Sequence, residues 1–195
     1  RRAGSFSEAI YQYQKALTLS PDMVDARIGL GWVYLEQNQP QLAIDHFNAA
    51  LASGTQLGQI NFGLAQGWHA LGRTQEEITA YQRALEAEPR MTAALQNLGN
   101  AYMTGEQYEQ AAEMYRRAIE TEPTNPALHY NLGVAAAHQK LHQEAINAFS
   151  EAITLEPANA AAYNGLAIAY YQLNDFEKAY AFALKAKSLG YEVQD

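Results

Sequence analysis

Residues 98–123 read LGNAYMTGEQYEQAAEMYRRAIETEP. Two amphipathic segments meet here at a polar link. In the first, Leu98-Gly99 is followed by Tyr102. In the second, Ala111, Tyr115 and Ala118 recur at spacings of four and three, which place them on one face of a helix. Pro123 closes the stretch, because proline lacks the amide donor and its ring clashes with the preceding turn. Gly99 costs about 1 kcal/mol relative to alanine in a helix interior. Its presence predicts a close approach of two helices, with the large aromatic of the partner over the gap. The short link at Glu106-Gln107 makes the two helices antiparallel.

The same text recurs along the chain. Pro89, Pro123 and Pro157 follow one another at 34 residues, Pro21 lies two periods before Pro89, and Thr55 takes the skipped beat. First segments carry Leu30-Gly31 with Tyr34, Leu64-Ala65 with Trp68, and Leu166-Ala167 with Tyr170. Leu132-Gly133 keeps the pair but meets Ala136 where the aromatic belongs. Second segments carry Ala9-Tyr13-Ala16, Ala43-Phe47-Ala50 and Ala145-Phe149-Ala152, with Glu77-Tyr81-Ala84 as the variant. Each unit then buries one face against its partner helix and the other against the next unit.

The order Leu-Gly-x-x-Tyr, then Ala-x-x-x-Phe/Tyr-x-x-Ala, then Pro at a 34-residue period resembles the tetratricopeptide repeat family over essentially the whole chain. The resemblance implies an all-α fold, a right-handed α-solenoid of antiparallel helix pairs. The expected division is the second half of a truncated repeat over 1–21, five full repeats at 22–55, 56–89, 90–123, 124–157 and 158–191, and a tail at 192–195. The leading half-repeat keeps only its second helix, roughly Ser7 to Leu19. The junction at Thr55, preceded by Ser53-Gly54, is expected to be looser or differently angled. The last helix has Ala183 in place of the aromatic and carries Lys178, Lys185 and Lys187, a polar character suited to an exposed terminal face. Opening on Arg1-Arg2 without Met, the chain reads as a piece of something longer with a natural C-terminus.

Composition narrows the function classes. The chain has 195 residues, 48% of them hydrophobic, which is enough for a sizeable core. Its net charge is -8, and the 13 basic residues are scattered rather than gathered on one face, which argues against nucleic-acid binding. No apolar run reaches the length of about 18 residues that a membrane span needs. Cysteine is absent, which removes disulfides, thiolate catalysis and cysteine-based zinc sites. The compartment stays open, cytoplasmic or periplasmic.

No motif calls for chemistry or a cofactor. His138 and His142 have a zinc-chelating spacing, but Lys140-Leu141 falls at the inter-helix turn and no third ligand is placed. Gly29-Leu30-Gly31 lacks the Lys-Ser/Thr of a phosphate loop and sits mid-helix. Glu76-Glu77 is a carboxylate pair at a helix start, where negative charge suits the dipole. No Gly-x-Ser-x-Gly elbow exists. The chain is expected not to be an enzyme.

The family resemblance implies a peptide-binding groove lined mainly by first helices. Its expected residues are Trp32, then Phe62, Gln66 and His69, then Gln96, Asn97, Asn100 and Met103. Tyr130, Asn131 and His138 follow, then Asn164 and Tyr171. Side-chain amides offer a donor and an acceptor together, so they match the backbone of an extended peptide. Asn97 and Asn131, one repeat apart, resemble the asparagine ladder of some family members. A clamp for acidic tails is disfavoured, because Gln96, Ala161 and Gly165 stand where basic groups are needed. The expected partner is a protein or peptide. Alternatives are a homo-oligomerising scaffold, docking through the open N-terminal helix around Ile10, Tyr13 and Leu17, and a regulatory segment of an enzyme whose catalytic domain lies upstream.

Overall fold

The structure, a computed structural model, describes residues 2–191, with side chains from Phe6 onward; Arg1 and the expected tail at 192–195 lie outside the described residues. Among those described are eleven α-helices and no strand. They are α1 (Arg2–Leu19), α2 (Val24–Glu36), α3 (Pro40–Leu51), α4 (Leu57–Ala70), α5 (Thr74–Ala87) and α6 (Thr92–Thr104). Then come α7 (Tyr108–Thr121), α8 (Pro126–His138), α9 (His142–Leu155), α10 (Ala160–Gln172) and α11 (Phe176–Ser188). The fold class is an all-α solenoid of antiparallel helix pairs, with α2, α4, α6, α8 and α10 as first helices. The leading helix starts at Arg2 rather than Ser7.

Each first helix turns into its second through three residues whose middle member is left-handed. These are Asn38, Gly72, Glu106, Lys140 and Asn174, with φ from 56 to 68°. The amide after each one reaches back five residues: Gln39 to Tyr34, Arg73 to Trp68, Gln107 to Tyr102, Leu141 to Ala136 and Asp175 to Tyr170, at 2.8–3.0 Å. This satisfies helix-end carbonyls that would otherwise lack a donor. Left-handed backbone costs a residue with a Cβ about 1–2 kcal/mol, so Glu106 and Lys140 are held there by the repeat rather than by preference.

Links between repeats obey the prolines. Glu88, Glu122 and Glu156 each precede one and leave the helical region, with φ of −133, −131 and −133° and ψ of 80, 71 and 86°. The link at Thr55 is built differently, as its sequence implied. Gly54 and Gln56 are left-handed at φ 69 and 50°. Ser53 Oγ donates to the Ala50 carbonyl at 2.8 Å and accepts from the Thr55 amide at 3.2 Å.

The chain forms two compact units, residues 1–94 and 95–195. In the first, helices α1 to α5 pack in chain order and α2 also touches α4; in the second, α7 to α11 do the same and α8 touches α10. One aromatic peg on each of α3, α5, α7 and α9 organises the packing. In the first unit the Phe47 ring is fully buried, and a Cβ on Gly31 of α2 or on Gly63 of α4 would fall 2.6 or 2.4 Å from it. In the second unit Phe149 lies in the same way between Gly133 of α8 and Gly165 of α10, each 2.6 Å from the ring by that measure. A Cβ on Gly99 of α6 would likewise fall 2.7 Å from the Tyr115 ring of α7. The expected close approach within a repeat is present, and the same ring also seats the first helix of the next repeat.

The last helix corrects an expectation. Beside its exposed lysines it bares an apolar stripe: Phe176, Tyr180 and Leu184 are 57%, 68% and 49% exposed, with the exposed Lys187 on the same side. Lys178 and Lys185 lie on another side, over the rings of Tyr170 (5.0 Å) and Tyr163 (5.9 Å).

Candidate functional site

The expected groove residues fall on the first helices of both units. In the first unit Trp32 and Phe62 come together, with ring centroids 6.0 Å apart. Both are half-buried, and each also packs on a peg: Trp32 on Phe47 at 5.2 Å, Phe62 on Tyr81 at 5.7 Å. Their rings therefore serve the repeat packing as well as the groove face. Gln66 is half-buried beside them on α4, and His69 is exposed at the helix end.

His69 is already engaged. Its Nδ1 lies 3.0 Å from a carboxylate oxygen of Glu77, a residue only 5% exposed that stands where the other second helices carry Ala43, Ala111, Ala145 and Ala179. The pair has an asymmetric consequence. Removing His69 strands the buried Glu77, whereas removing Glu77 leaves only an exposed ring. His69→Ala is expected to lower the unfolding free energy by about 1–2 kcal/mol. Glu77→Ala should raise it by about 1 kcal/mol, since a buried polar group gives way to the best helix former. Urea titrations followed by circular dichroism read both, and a loss of stability in Glu77→Ala would refute the asymmetry.

In the second unit α6 carries Gln96, Asn97 and Met103, all half-buried, and the exposed Asn100. Asn100 has a structural bond: its Oδ1 accepts from the buried Tyr115 hydroxyl at 2.7 Å. Burial pushes that phenol's pKa well up, so it stays a donor at neutral pH. Asn97 and Asn131 occupy the repeat position held by Gly29, Gly63 and Gly165 in the other units. That is the position where Gly63 and Gly165 receive the peg of the preceding repeat.

Between α8 and α10 the second unit opens a cleft of about 380 Å³. It brings together three expected residues, Tyr130, His138 and Asn164, over a floor of Val134, Phe149 and Gly165. Tyr130 packs on the peg Phe149 at 5.8 Å, and His138 stacks on Tyr108 at 4.4 Å, so both rings are held from behind. Burial, then Tyr191, raises the Tyr130 pKa, which keeps its hydroxyl a donor. The rim thus supplies a phenol, an imidazole and an amide around an apolar floor, the build of a pocket for one apolar side chain beside a polar backbone. Asn131 is half-buried on α8 without lining this cleft, and Tyr171 turns to the far side of α10, edge-on to Phe176 at 5.5 Å.

Tyr191 lines the cleft and was not among the expected residues. Gly190 is left-handed at φ 88°, and the Tyr191 amide bonds back to the Ala186 carbonyl at 3.1 Å. An apolar residue directly after such a helix-ending glycine tends to pack back on its helix, and the Leu189-Gly190-Tyr191 text carried that signal. Among the described residues, no three His, Cys, Asp or Glu side chains are grouped to hold a metal, and no helix is long and apolar enough to cross a membrane.

Solved structures share this architecture. YrrB, described as a tetratricopeptide repeat protein with an unusual peptide-binding site, superposes with a TM-score of 0.85 at 19% identity, covering 91% of this chain and 92% of that one. MamA from Desulfovibrio magneticus superposes with a TM-score of 0.78 at 17% identity, covering 85% of this chain and 94% of that one. At such identities the likeness is one of fold. In sequence, the type IV pilus assembly protein PilF of Pseudomonas aeruginosa is 31% identical over 117 residues, 56% of this chain and 44% of that protein. The photosystem I assembly protein Ycf3 of Synechococcus elongatus is 29% identical over 112 residues, 54% of this chain and 65% of that protein. The matches thus span about half to two thirds of these relatives' lengths. One profile of the tetratricopeptide repeat matches residues 1–57 and 97–155, and a second matches 136–187. With the repeat text, the paired helices and these matches in agreement, the chain belongs to the tetratricopeptide repeat family.

Proposed function

We propose that this chain is a non-catalytic protein-interaction scaffold that binds an extended peptide on the first-helix face of its second unit. The observation that carries the reading is the cleft between α8 and α10, where Tyr130, His138 and Asn164 rim an apolar floor. A peptide side chain enters the floor, and the amides of Gln96, Asn97, Asn131 and Asn164 bond its backbone without regard to its sequence. No Lys or Arg stands among these residues, so the favoured peptide is neutral or basic rather than acidic. The reading also fits the relatives, two of which are named as assembly proteins and one solved neighbour as a peptide binder.

A phage-displayed peptide library selected on the immobilised chain supplies the probe, and calorimetric titration of a selected synthetic peptide supplies the affinity. Asn97→Ala with Asn131→Ala is expected to weaken that affinity by about 1–3 kcal/mol, at about 0.5–1.5 per hydrogen bond, with stability nearly unchanged. Asn97→Gly with Asn131→Gly installs the residue of the other repeats at that position and should lose the same affinity. Unaltered binding in both double variants, or unfolding of the alanine variant, would remove the amides from the reading.

A further inference from the structure

The α8–α10 cleft of the second unit has a counterpart in the first, and the counterpart is built from different side chains. Both lie where glycines of two successive first helices meet one peg: Gly31 and Gly63 on Phe47, Gly133 and Gly165 on Phe149. By repeat position, Val134 of the cleft corresponds to Trp32, His138 to Glu36, Asn164 to Phe62 and Ile168 to Gln66. Val134, His138, Asn164 and Ile168 line one cleft in the second unit, so the repeat gathers their counterparts between α2 and α4. The rings of Trp32 and Phe62, 6.0 Å apart across those two helices, agree with this. An indole thus takes the place of the small Val134, and a carboxylate takes the place of the imidazole. α2 is packed by α1 and α3, and α4 by α3 and α5, so this face is interior to the array and not an uncovered end.

The polar groups of this face are unengaged. Glu36 is exposed one helical turn beyond Trp32. Side chains on a helix lean toward its N-terminus, so the carboxylate leans back over the indole. Among the described residues Glu36 forms no ion pair and no side-chain hydrogen bond, and Gln66 forms no side-chain hydrogen bond. Trp32 is half-buried, and its neighbours Phe47 and Phe62 meet it at 73° and 43°, so neither is stacked flat on it. Elsewhere the chain sets its own cations over rings: Arg73 over Trp68, Lys178 over Tyr170 and Lys185 over Tyr163. Among the described residues no cation lies over Trp32. Arg27, the basic residue of α2, stands about 140° around the helix from Trp32 and donates to the Pro21 carbonyl at 2.8 Å. Asp25, two turns before Trp32 on its own stripe, adds a second negative charge and accepts from Gln56 Nε2 at 2.8 Å.

We propose that the α2–α4 face binds the guanidinium of an arginine side chain carried by a partner peptide. The planar cation lies over the Trp32 indole, Glu36 accepts two of its N–H groups side by side, and the Gln66 carbonyl accepts a third. A guanidinium suits this set better than an ammonium, because it is planar, more weakly hydrated and forked to match a carboxylate. The site uses no residue of the α8–α10 cleft and lies in the other unit, so it stands or falls independently of peptide binding there.

The chain has two tryptophans, so its isotope-labelled form gives two indole N–H signals, with Trp68 as the internal control. Titration with the blocked tripeptide acetyl-Gly-Arg-Gly-amide, followed by nuclear magnetic resonance, tests the site. The Trp32 signal should shift and saturate with a dissociation constant on the order of 1 mM, while the Trp68 signal stays in place. Citrulline in place of the arginine keeps the shape without the charge and should bind about tenfold more weakly. Glu36→Gln, at an exposed position, should weaken the arginine peptide by about fivefold or more with the circular dichroism unchanged. Asn97→Ala with Asn131→Ala should leave this titration unaltered. A Trp32 signal that does not move, or that moves in step with Trp68, overturns the site. Citrulline bound as tightly as arginine overturns the cation, and unchanged affinity in Glu36→Gln overturns the carboxylate's role.

Discussion

Phe149→Ala is expected to lower the unfolding free energy by about 3–5 kcal/mol, the range for losing a fully packed aromatic ring. Phe149 is 2% exposed in a cluster with Ala136, Ala145, Ile146, Ala152, Ala162, Leu166 and Ala169. Those neighbours are short or branched, and both faces of the ring rest on glycines, Gly133 and Gly165, which have no side chain to move into the space. The cavity therefore persists, and its cost adds to the lost transfer energy. In a repeat protein the peg counts twice, once for its own helix pair and once for seating the next. Tyr130, tilted against the ring from the cleft side at 5.8 Å, would lose its support as well. Urea unfolding monitored by circular dichroism measures the effect. A loss under about 1 kcal/mol would mean that the repeats are not locked by their pegs.

The pegs were legible because they recur: an aromatic at 47, 81, 115 and 149 with small residues facing it is a pattern of sequence spacing alone. What the spacing did not reveal is that Phe47 and Phe149 each serve two repeats, since Gly63 and Gly165 belong to the helix after them. The left-handed turns were half legible. Gly72, Asn38 and Asn174 announce themselves, whereas Glu106 and Lys140 adopt the same backbone because the helices on either side demand it. Among the groove residues, chemistry was readable but engagement was not. Nothing in the text ties Asn100 to Tyr115, His69 to Glu77 or Trp32 to Phe62, because those contacts depend on how helices pack. The terminal helix was misread by composition. Its three lysines suggested a polar face, yet Lys178 and Lys185 lie over tyrosine rings elsewhere on the helix, and only Lys187 accompanies the exposed 176–180–184 stripe. Spacing would have shown it where composition did not.

Gly133→Ala combined with Gly165→Ala is expected to destabilise the chain by about 2–5 kcal/mol, although each change alone favours helix by about 1 kcal/mol. A Cβ at Gly133 would sit 2.6 Å from the Phe149 ring and one at Gly165 would sit 2.6 Å from it, so the ring is pressed from both α8 and α10. Either methyl alone could be met by a small shift of the ring toward the other helix; the pair leaves only a shift into the cleft, against Tyr130. The sign should reverse when the peg is gone. In a Phe149→Ala background the same two alanines help to fill the cavity and regain their helical preference, so the triple variant should be more stable than Phe149→Ala by about 1–3 kcal/mol. Measured as a double-mutant cycle, with the two glycines as one arm and the ring as the other, the coupling should be several kcal/mol and favour the native combination. Additive arms would show that glycine is tolerated at these positions for a reason other than the ring.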